Sequence, residues 1–300
     1  MLKSRQVEAF RAVMLAGGIT PAAELMSVSQ PAVTRLIQDL QSALGLKLFE
    51  RRGARLVPSV EAHLLYREVQ RSFVGLDRIQ RAAVELRQHR AGVLRTAALP
   101  ALANGYLPRF VASFLATRPK LDLALAGAPS TVILDLVAAG QCDVGFVEMP
   151  SEHAAIKVEP LVPVPAVAVV PERHPLAKRR VLRPRDFDRQ PFISFSHATI
   201  LRYRIDTLFD KQGVRPIYRV ETPLSMIACP FVSSELGIAI VDPFTAREYA
   251  GRGLAIRPFT PTVPIEFGIC YSTQQPLPAL ARELIRAFSA EVEAFAKEFV

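Results

Sequence analysis

The chain has 300 residues, half of them hydrophobic, so it can bury one or two cores and wholesale disorder is excluded. Thirty-seven Lys and Arg against 28 Asp and Glu leave a net charge of +9, a surplus that points to a polyanionic partner, nucleic acid before membrane. Three widely spaced cysteines make neither a disulfide framework nor a zinc cluster and suit a reducing compartment. Charges or prolines break every apolar run before about 18 residues, so no membrane span is expected. The start, Met-Leu-Lys-Ser-Arg-Gln-Val-Glu, lacks an apolar signal core, and a cytoplasmic location is expected. The charge is uneven: Met1 to Arg90 carries 14 Lys/Arg and 8 Asp/Glu, a net of +6, leaving +3 for the other 210 residues.

The predicted elements begin with a helix whose apolar positions are Leu2, Val7, Phe10, Val13 and Met14, ended by Gly17-Gly18. Thr20 is expected to cap a short helix from Pro21 to Met26. A third helix runs from Pro31 to about Ala43, burying Val33, Leu36, Ile37, Leu40 and Leu44 and turning Thr34, Arg35, Gln38 and Gln41 to another face. Two short helices with a tight turn, the second displaying Gln, Thr and Arg, meet the needs of a helix-turn-helix. Arg and Gln can make bidentate contacts with base edges, and Thr can touch a thymine methyl. Residues 45–58 then read as two short strands around a basic glycine turn, a wing whose Arg51, Arg52 and Arg55 can meet phosphates.

Four segments of this module, in order, resemble the LysR-type transcriptional regulators. They are Arg5-Gln6-Val7-Glu8-Ala9-Phe10, Ala22-Ala23-Glu24-Leu25, Ser29 to Ile37, and Leu44-Gly45-Leu46-Lys47-Leu48-Phe49-Glu50-Arg51. The resemblance implies that Gln30, Pro31, Thr34, Arg35 and Gln38 lie at or near the groove of a double-stranded DNA operator, with Arg51, Arg52 and Arg55 on its backbone.

From Ser59 to about His89 there is no Pro and a single Gly, Gly75. Ala62, Leu65, Val69, Ser72, Leu76, Ile79, Ala83 and Leu86 alternate three and four apart, a heptad seam that predicts a dimerisation helix, with a single amphipathic helix packed on its own domain as the plainer alternative. A dimer reads both halves of a palindrome where one helix-turn-helix reads a few base pairs. In the family such dimers commonly pair into tetramers.

The rest of the chain alternates predicted strands and helices. Strands are expected at residues 92–99, 121–126, 143–147, 166–171, 191–195, 237–241 and 268–272. Helices are expected at 107–116, 131–139, 202–212, 222–234 and 278–299. This alternation implies an α/β sheet with mostly parallel strands. Asp143-Val144-Gly145 and Glu235 to Val241 resemble motifs of the LysR effector domain, which is two-lobed like periplasmic solute-binding proteins. The expected architecture is α plus α/β: a winged helix-turn-helix (1–58), a long linker and dimerisation helix (59–91), and a periplasmic-binding-protein-like effector domain (92–300). Its lobe one comprises 92–163 and 266–300, its lobe two 164–265. Leu99 to Phe110 and the opening Arg5 to Leu15 are similar to the regulators of octopine and nopaline catabolism within the family.

Ligands of open α/β sheets bind beyond the carboxyl ends of strands. The candidate effector residues are therefore Pro100, Ala101, Leu102, Ser130, Thr131 and Glu148 in lobe one, and Ser196, His197, Thr199, Glu221 and Asp242 in lobe two. Hydroxyls and helix-start amides suit a carboxylate, while Glu148, Glu221 or Asp242 could pair with an ammonium or guanidinium. Ser130 and Thr131 also have the plainer reading of helix caps. Together these suggest an amino acid or opine as effector, with another organic acid or a redox signal as alternatives. No cofactor or metal is expected. RNA polymerase is a further partner by resemblance. An enzyme is disfavoured by the lack of GxGxxG, HExxH or Gly-x-Ser-x-Gly, and a secreted solute-binding protein would leave the first 90 residues unexplained. Cys142, Cys229 and Cys270 fall in or beside apolar elements and read as structural.

Overall fold

The computed structural model describes residues 2–52, 55–70, 72–73 and 93–298. The chain divides into two compact units, Met1–Gln88 and His89–Val300.

In the first unit, α1 (Ser4–Ala16) ends on Gly17, whose φ of 72° lets its amide bond back to the Val13 carbonyl. The second helix, α2 (Ile19–Leu25), starts two residues earlier than expected. Gly18 is its N-cap, so Thr20 and Pro21 lie inside its first turn. Ser27 takes the left-handed conformation (φ 53°) in the turn to α3 (Gln30–Leu44), which begins after Ser29 with Pro31 in its first turn. Phe10, Ala22, Val33, Ile37, Leu40 and Leu48 make the centre of this core, and Phe49 meets Phe10 edge-on at 5.7 Å. Strands β1 (Phe49–Arg52) and β2 (Arg55–Pro58) pair antiparallel as the wing.

Helix α4 covers residues 60–70. The first positions of the predicted seam do not wait for a second chain: Ala62 and Val69 are buried in the core of their own unit, with Leu65 packed beside them. Phe10 reaches Tyr66 at 6.3 Å from the other side. Val60 and Leu64 are the apolar residues this helix leaves exposed, at 72% and 57%. Leu76, Ile79, Ala83 and Leu86 lie outside the described residues.

The second unit holds a mixed five-stranded sheet in one lobe and a second set of strands in the other. The first has the order β4 (Leu123–Gly127), β3 (Leu94–Ala98), β5 (Val144–Glu148), β14 (Phe267–Ser272), β6 (Ile156–Pro160). Strands β3, β4 and β5 are parallel, but β14 runs antiparallel to both neighbours. The second contains β11 (Ala239–Val241), β8 (Val167–Pro171) and β12 (Leu254–Pro258), all antiparallel, beside the parallel pair β9 (Pro191–Phe195) and β10 (Ile217–Thr222). A bridge between Phe192 and Ile238 joins the two sets. The expected mostly parallel sheet is thus corrected. β14 and β8 each enter from the other lobe, and a strand arriving that way has no crossover helix to make it parallel. The crossing itself is the short pair β7 (Val164–Pro165) and β13 (Pro264–Ile265).

Two glycines explain the motifs in physical terms. A Cβ at Gly145 would lie 2.5 Å from both Cys270 Sγ and Ile133, because α7 (Ser130–Ala138) packs directly on β5 there. A Cβ at Gly237 would meet the Pro191 carbonyl at 2.6 Å, so glycine lets the start of β9 lie against this segment. The aspartate of the first motif ties strands together: Asp143 Oδ2 accepts from the Arg95 amide at 2.8 Å, and the Asp143 amide donates to the Arg95 carbonyl.

Candidate functional site

The surface of α3 follows from its amphipathic sequence. With Val33, Ile37 and Leu40 inside, Gln30, Pro31, Arg35 and Gln38 are exposed and Thr34 is half-buried. The Thr34 hydroxyl donates to the Gln30 carbonyl at 3.0 Å, which leaves its methyl as the free contact group. Gln41 has a different job from its neighbours on that face. Its Oε1 accepts from the amides of Leu48 and Phe49, at 2.8 and 3.1 Å, and so fixes where the wing leaves the helix. The side chains of Arg51, Arg52 and Arg55 lie outside the described residues.

In the second unit a cavity of about 580 Å³ opens between the lobes, a size suited to a small organic ligand. Its walls are the carboxyl ends of strands: Leu99 after β3, Ala128 after β4, Glu148 of β5, Phe195 of β9 and Asp242 after β11. Several helices begin there. These are α5 (Pro100–Ala103), α7, α8 (Ile200–Lys211), α9 (Ser225–Ser233) and α10 (Pro243–Glu248). Two of them are capped by their own chain. Thr199 Oγ1 accepts from the Arg202 amide at 3.3 Å, and Asp242 Oδ1 accepts from the Thr245 amide at 2.7 Å. The N-caps of α7 and α9 are Pro129 and Leu224, neither of which offers a side-chain cap, so their first-turn amides keep their capacity for an anion.

The cavity wall is mostly apolar, with Leu201, Met226, Ile265 and Phe267 among its residues, and no Lys, Arg or His is among the described residues that line it. It does contain two carboxyl groups. Burial pushes Glu148 above the ordinary carboxylate range, repulsion from Asp242 pushes it further, and Arg204 partly offsets both. Burial also raises Asp242, against hydrogen bonds from Ser225 and Thr245. Arg204 is held back by Glu266, 2.7 Å away, and by the Pro264 carbonyl. Glu148 is thus a buried carboxyl only partly offset by Arg204, and a cation entering the cavity would favour its ionised form.

Of the sequence-predicted residues the cavity gathers Pro100, Ala101, Ser130, Glu148, Thr199 and Asp242. Ser130 is the first residue of its helix rather than the cap, and its Oγ accepts from the Glu148 amide at 3.0 Å, which joins α7 to β5. Five candidates lie elsewhere. Leu102 is fully buried in the core, since its helix turns that face inward. Thr131, one residue on from Ser130, points to solvent. Ser196 is not in the wall, and its backbone holds the turn by accepting from Thr199. His197 is exposed and sits 3.8 Å from Glu221, which belongs to the exposed strand β10 rather than to a loop. Sequence reasoning misses Ser225, Thr245 and Phe267, all of which line the cavity. For Ser225 a signal exists in the Pro223-Leu224-Ser225 turn before an apolar helix, but nothing local says that this turn faces the other lobe.

The three cysteines are buried. Burial pushes the Cys229 and Cys270 thiols up to about 12, which keeps them as unreactive thiols at neutral pH.

Comparison with known families decides what this pairing of modules is. Residues 4–63 match the bacterial regulatory helix-turn-helix protein model of the lysR family, and residues 87–293 match the LysR substrate binding domain. The chain is a LysR-type transcriptional regulator. It is 37% identical over the whole of both chains to the regulatory protein NocR of Agrobacterium fabrum. It is 44% identical to the octopine catabolism/uptake operon regulatory protein OccR of Rhizobium meliloti, covering 85% of this chain and 84% of that one. It is 38% identical to the transcriptional activator protein LysR of Escherichia coli, over 97% and 92%. Full-length CbnR complexed with its target DNA has the same fold, with a TM-score of 0.77, 20% identity, and coverage of 95% and 98%. The regulator thus carries a DNA-binding and a small-molecule-binding module, and its relatives are regulators rather than enzymes. No helix among the described residues is long and apolar enough to cross a membrane.

Proposed function

We propose that this regulator controls a catabolic operon in response to an arginine-derived amino-acid conjugate of the opine class. The observation that carries the reading is the cavity's charge. Glu148 faces an apolar space with no lining cation among the described residues, and the uncapped starts of α7 and α9 supply amides. A guanidinium on Glu148 and a carboxylate on those amides would satisfy both ends of such a ligand. The similarity to OccR, a regulator of octopine catabolism and uptake, points the same way. A simple organic diacid fits less well, because its second carboxylate would lie near Glu148. A thiol-based signal fits poorly with cysteines whose thiols burial holds protonated.

On DNA, Gln30, Pro31, Thr34, Arg35 and Gln38 would meet the operator groove while Arg51, Arg52 and Arg55 hold the backbone. Dimers pairing into a homotetramer would span an interrupted palindrome in the cytoplasm. Closure of the lobes on the effector would bias the geometry of the bound DNA and the contact with RNA polymerase. Titration calorimetry of the full chain with octopine, nopaline, arginine and pyruvate tests the effector reading. Octopine or nopaline should bind, pyruvate should not, and Glu148→Gln should weaken binding about tenfold or more. Absence of binding by all four would end it.

A further inference from the structure

The charge of the second unit is concentrated. Residues 172–190 carry seven Lys/Arg and three Asp/Glu, a net of +4, although the whole chain after Arg90 has only +3. The seven are Arg173, Lys178, Arg179, Arg180, Arg183, Arg185 and Arg189, and all are exposed. The segment between them is not a loose loop. Two short 3-10 turns, Pro175–Lys178 and Pro184–Phe187, each begin with proline. Leu182 and Phe187 are fully buried beneath it, and Phe187 packs against Phe192, Phe209 and Phe259. The Leu182 amide donates to the Pro258 carbonyl and its carbonyl accepts from Thr260. Neutralisation is slight. Asp186 pairs with Arg179 at 2.6 Å, and Asp188 accepts from the Arg215 amide. Among the described residues, no ion pair holds the other six cations.

We propose that this platform on lobe two is a second DNA contact, which grips the phosphate backbone of duplex outside the bases read by the helix-turn-helix. Six of its seven cations are arginines, whose planar fork matches phosphate oxygens. Between the cations the exposed surface offers only Val181 at 41% as a large apolar side chain and no aromatic one. A protein-docking face would carry an apolar or aromatic centre, whereas duplex DNA is met by polar, strongly positive surfaces. The platform and the helix-turn-helix belong to one chain, so phosphate contacts too weak to bind alone become effectively intramolecular once the operator is held.

The test is the salt dependence of binding by the full chain to a random-sequence duplex of about 80 base pairs. Replacing Lys178, Arg180, Arg183 and Arg185 together by Ala should lower the slope of log affinity against log salt by about 0.9 for each phosphate no longer neutralised, a drop of two or more. A control with the same change of charge elsewhere on this unit, Lys120, Arg219, Arg282 and Arg286 to Ala, should leave the slope unchanged. All eight residues are exposed, and equal melting temperatures would certify that both variants fold. The proposal is overturned by an unchanged slope in the platform variant or by equal drops in both variants. Loss of transcriptional activation with the DNA slope intact would equally overturn it, and would assign the platform to an acidic protein partner.

Discussion

The two units present their candidate binding groups in opposite ways. On α3 the polar side chains stand in solvent and the apolar ones hold the helix down, so the proposed contact face and the stabilising face are opposite faces of one element. In the effector unit the candidate groups are buried: Asp242 is 4% exposed, and Glu148 lies at the end of a strand otherwise fully inside. An exposed reader can be altered at little cost to the fold, while a buried sensor uses groups whose charge the fold itself disfavours. This difference separates surfaces built for a polyanion from a cavity built for one small ligand.

The sharpest way to break the comparison is to damage one unit and watch the other. Gly145→Leu forces a side chain into Ile133 and Cys270 and should cost about 3 kcal/mol or more in the effector unit. By scanning calorimetry the transition of the DNA-binding unit should stay in place, and a joint shift would mean the units are not independent. A second test lies within the DNA-binding unit. Gln41→Ala removes the acceptor for two amides and should cost about 2 kcal/mol in that unit. Chemical denaturation followed by the unit's own signal would measure it. Gln38→Ala, one turn away and exposed, should cost next to nothing in stability.

For base reading, Arg35→Ala should reduce discrimination between operator and random DNA by about 1–3 kcal/mol. Equal loss on both, in competition binding, would place Arg35 on the backbone instead. The buried sensor predicts a pH signature that the exposed reader lacks. Glu148 must be ionised to hold a cation, and its proton is held more tightly than that of an ordinary carboxylic acid. Affinity for a guanidinium ligand should therefore be full above that raised value and fall as pH drops through it. The fall should begin at higher pH than an unperturbed glutamate would give. Glu148→Gln should abolish this dependence in calorimetry run across pH. The smallest effect is Arg52→Ala, which should lower the salt slope of DNA binding by about 0.9 without altering sequence preference.

How much of the molecule is legible in the sequence varies by region for a physical reason. The exposed face of α3 can be read because three turns of helix determine which side chains share a face. Even there, Gln41 looks like its neighbours until the wing supplies the two amides it binds. In the linker helix the periodicity of Ala62, Leu65 and Val69 is real, but period does not name the surface that covers it. Here that surface is the unit's own core. In the cavity, strand ends point to Ser130, Glu148 and Asp242, yet Leu102 and Thr131, one residue from true wall positions, face elsewhere.

The amino-acid sequence by itself determined the two modules, their order, the helix-turn-helix and the imbalance of charge between them. Each of these depends on residues near one another in the chain. The tertiary structure alone decided which carboxyls share a cavity, that no lining cation meets them among the described residues, and that residues 172–190 form a rigid cationic platform. Those facts depend on strands that cross between lobes, bringing Glu148 and Asp242 together from positions nearly a hundred residues apart.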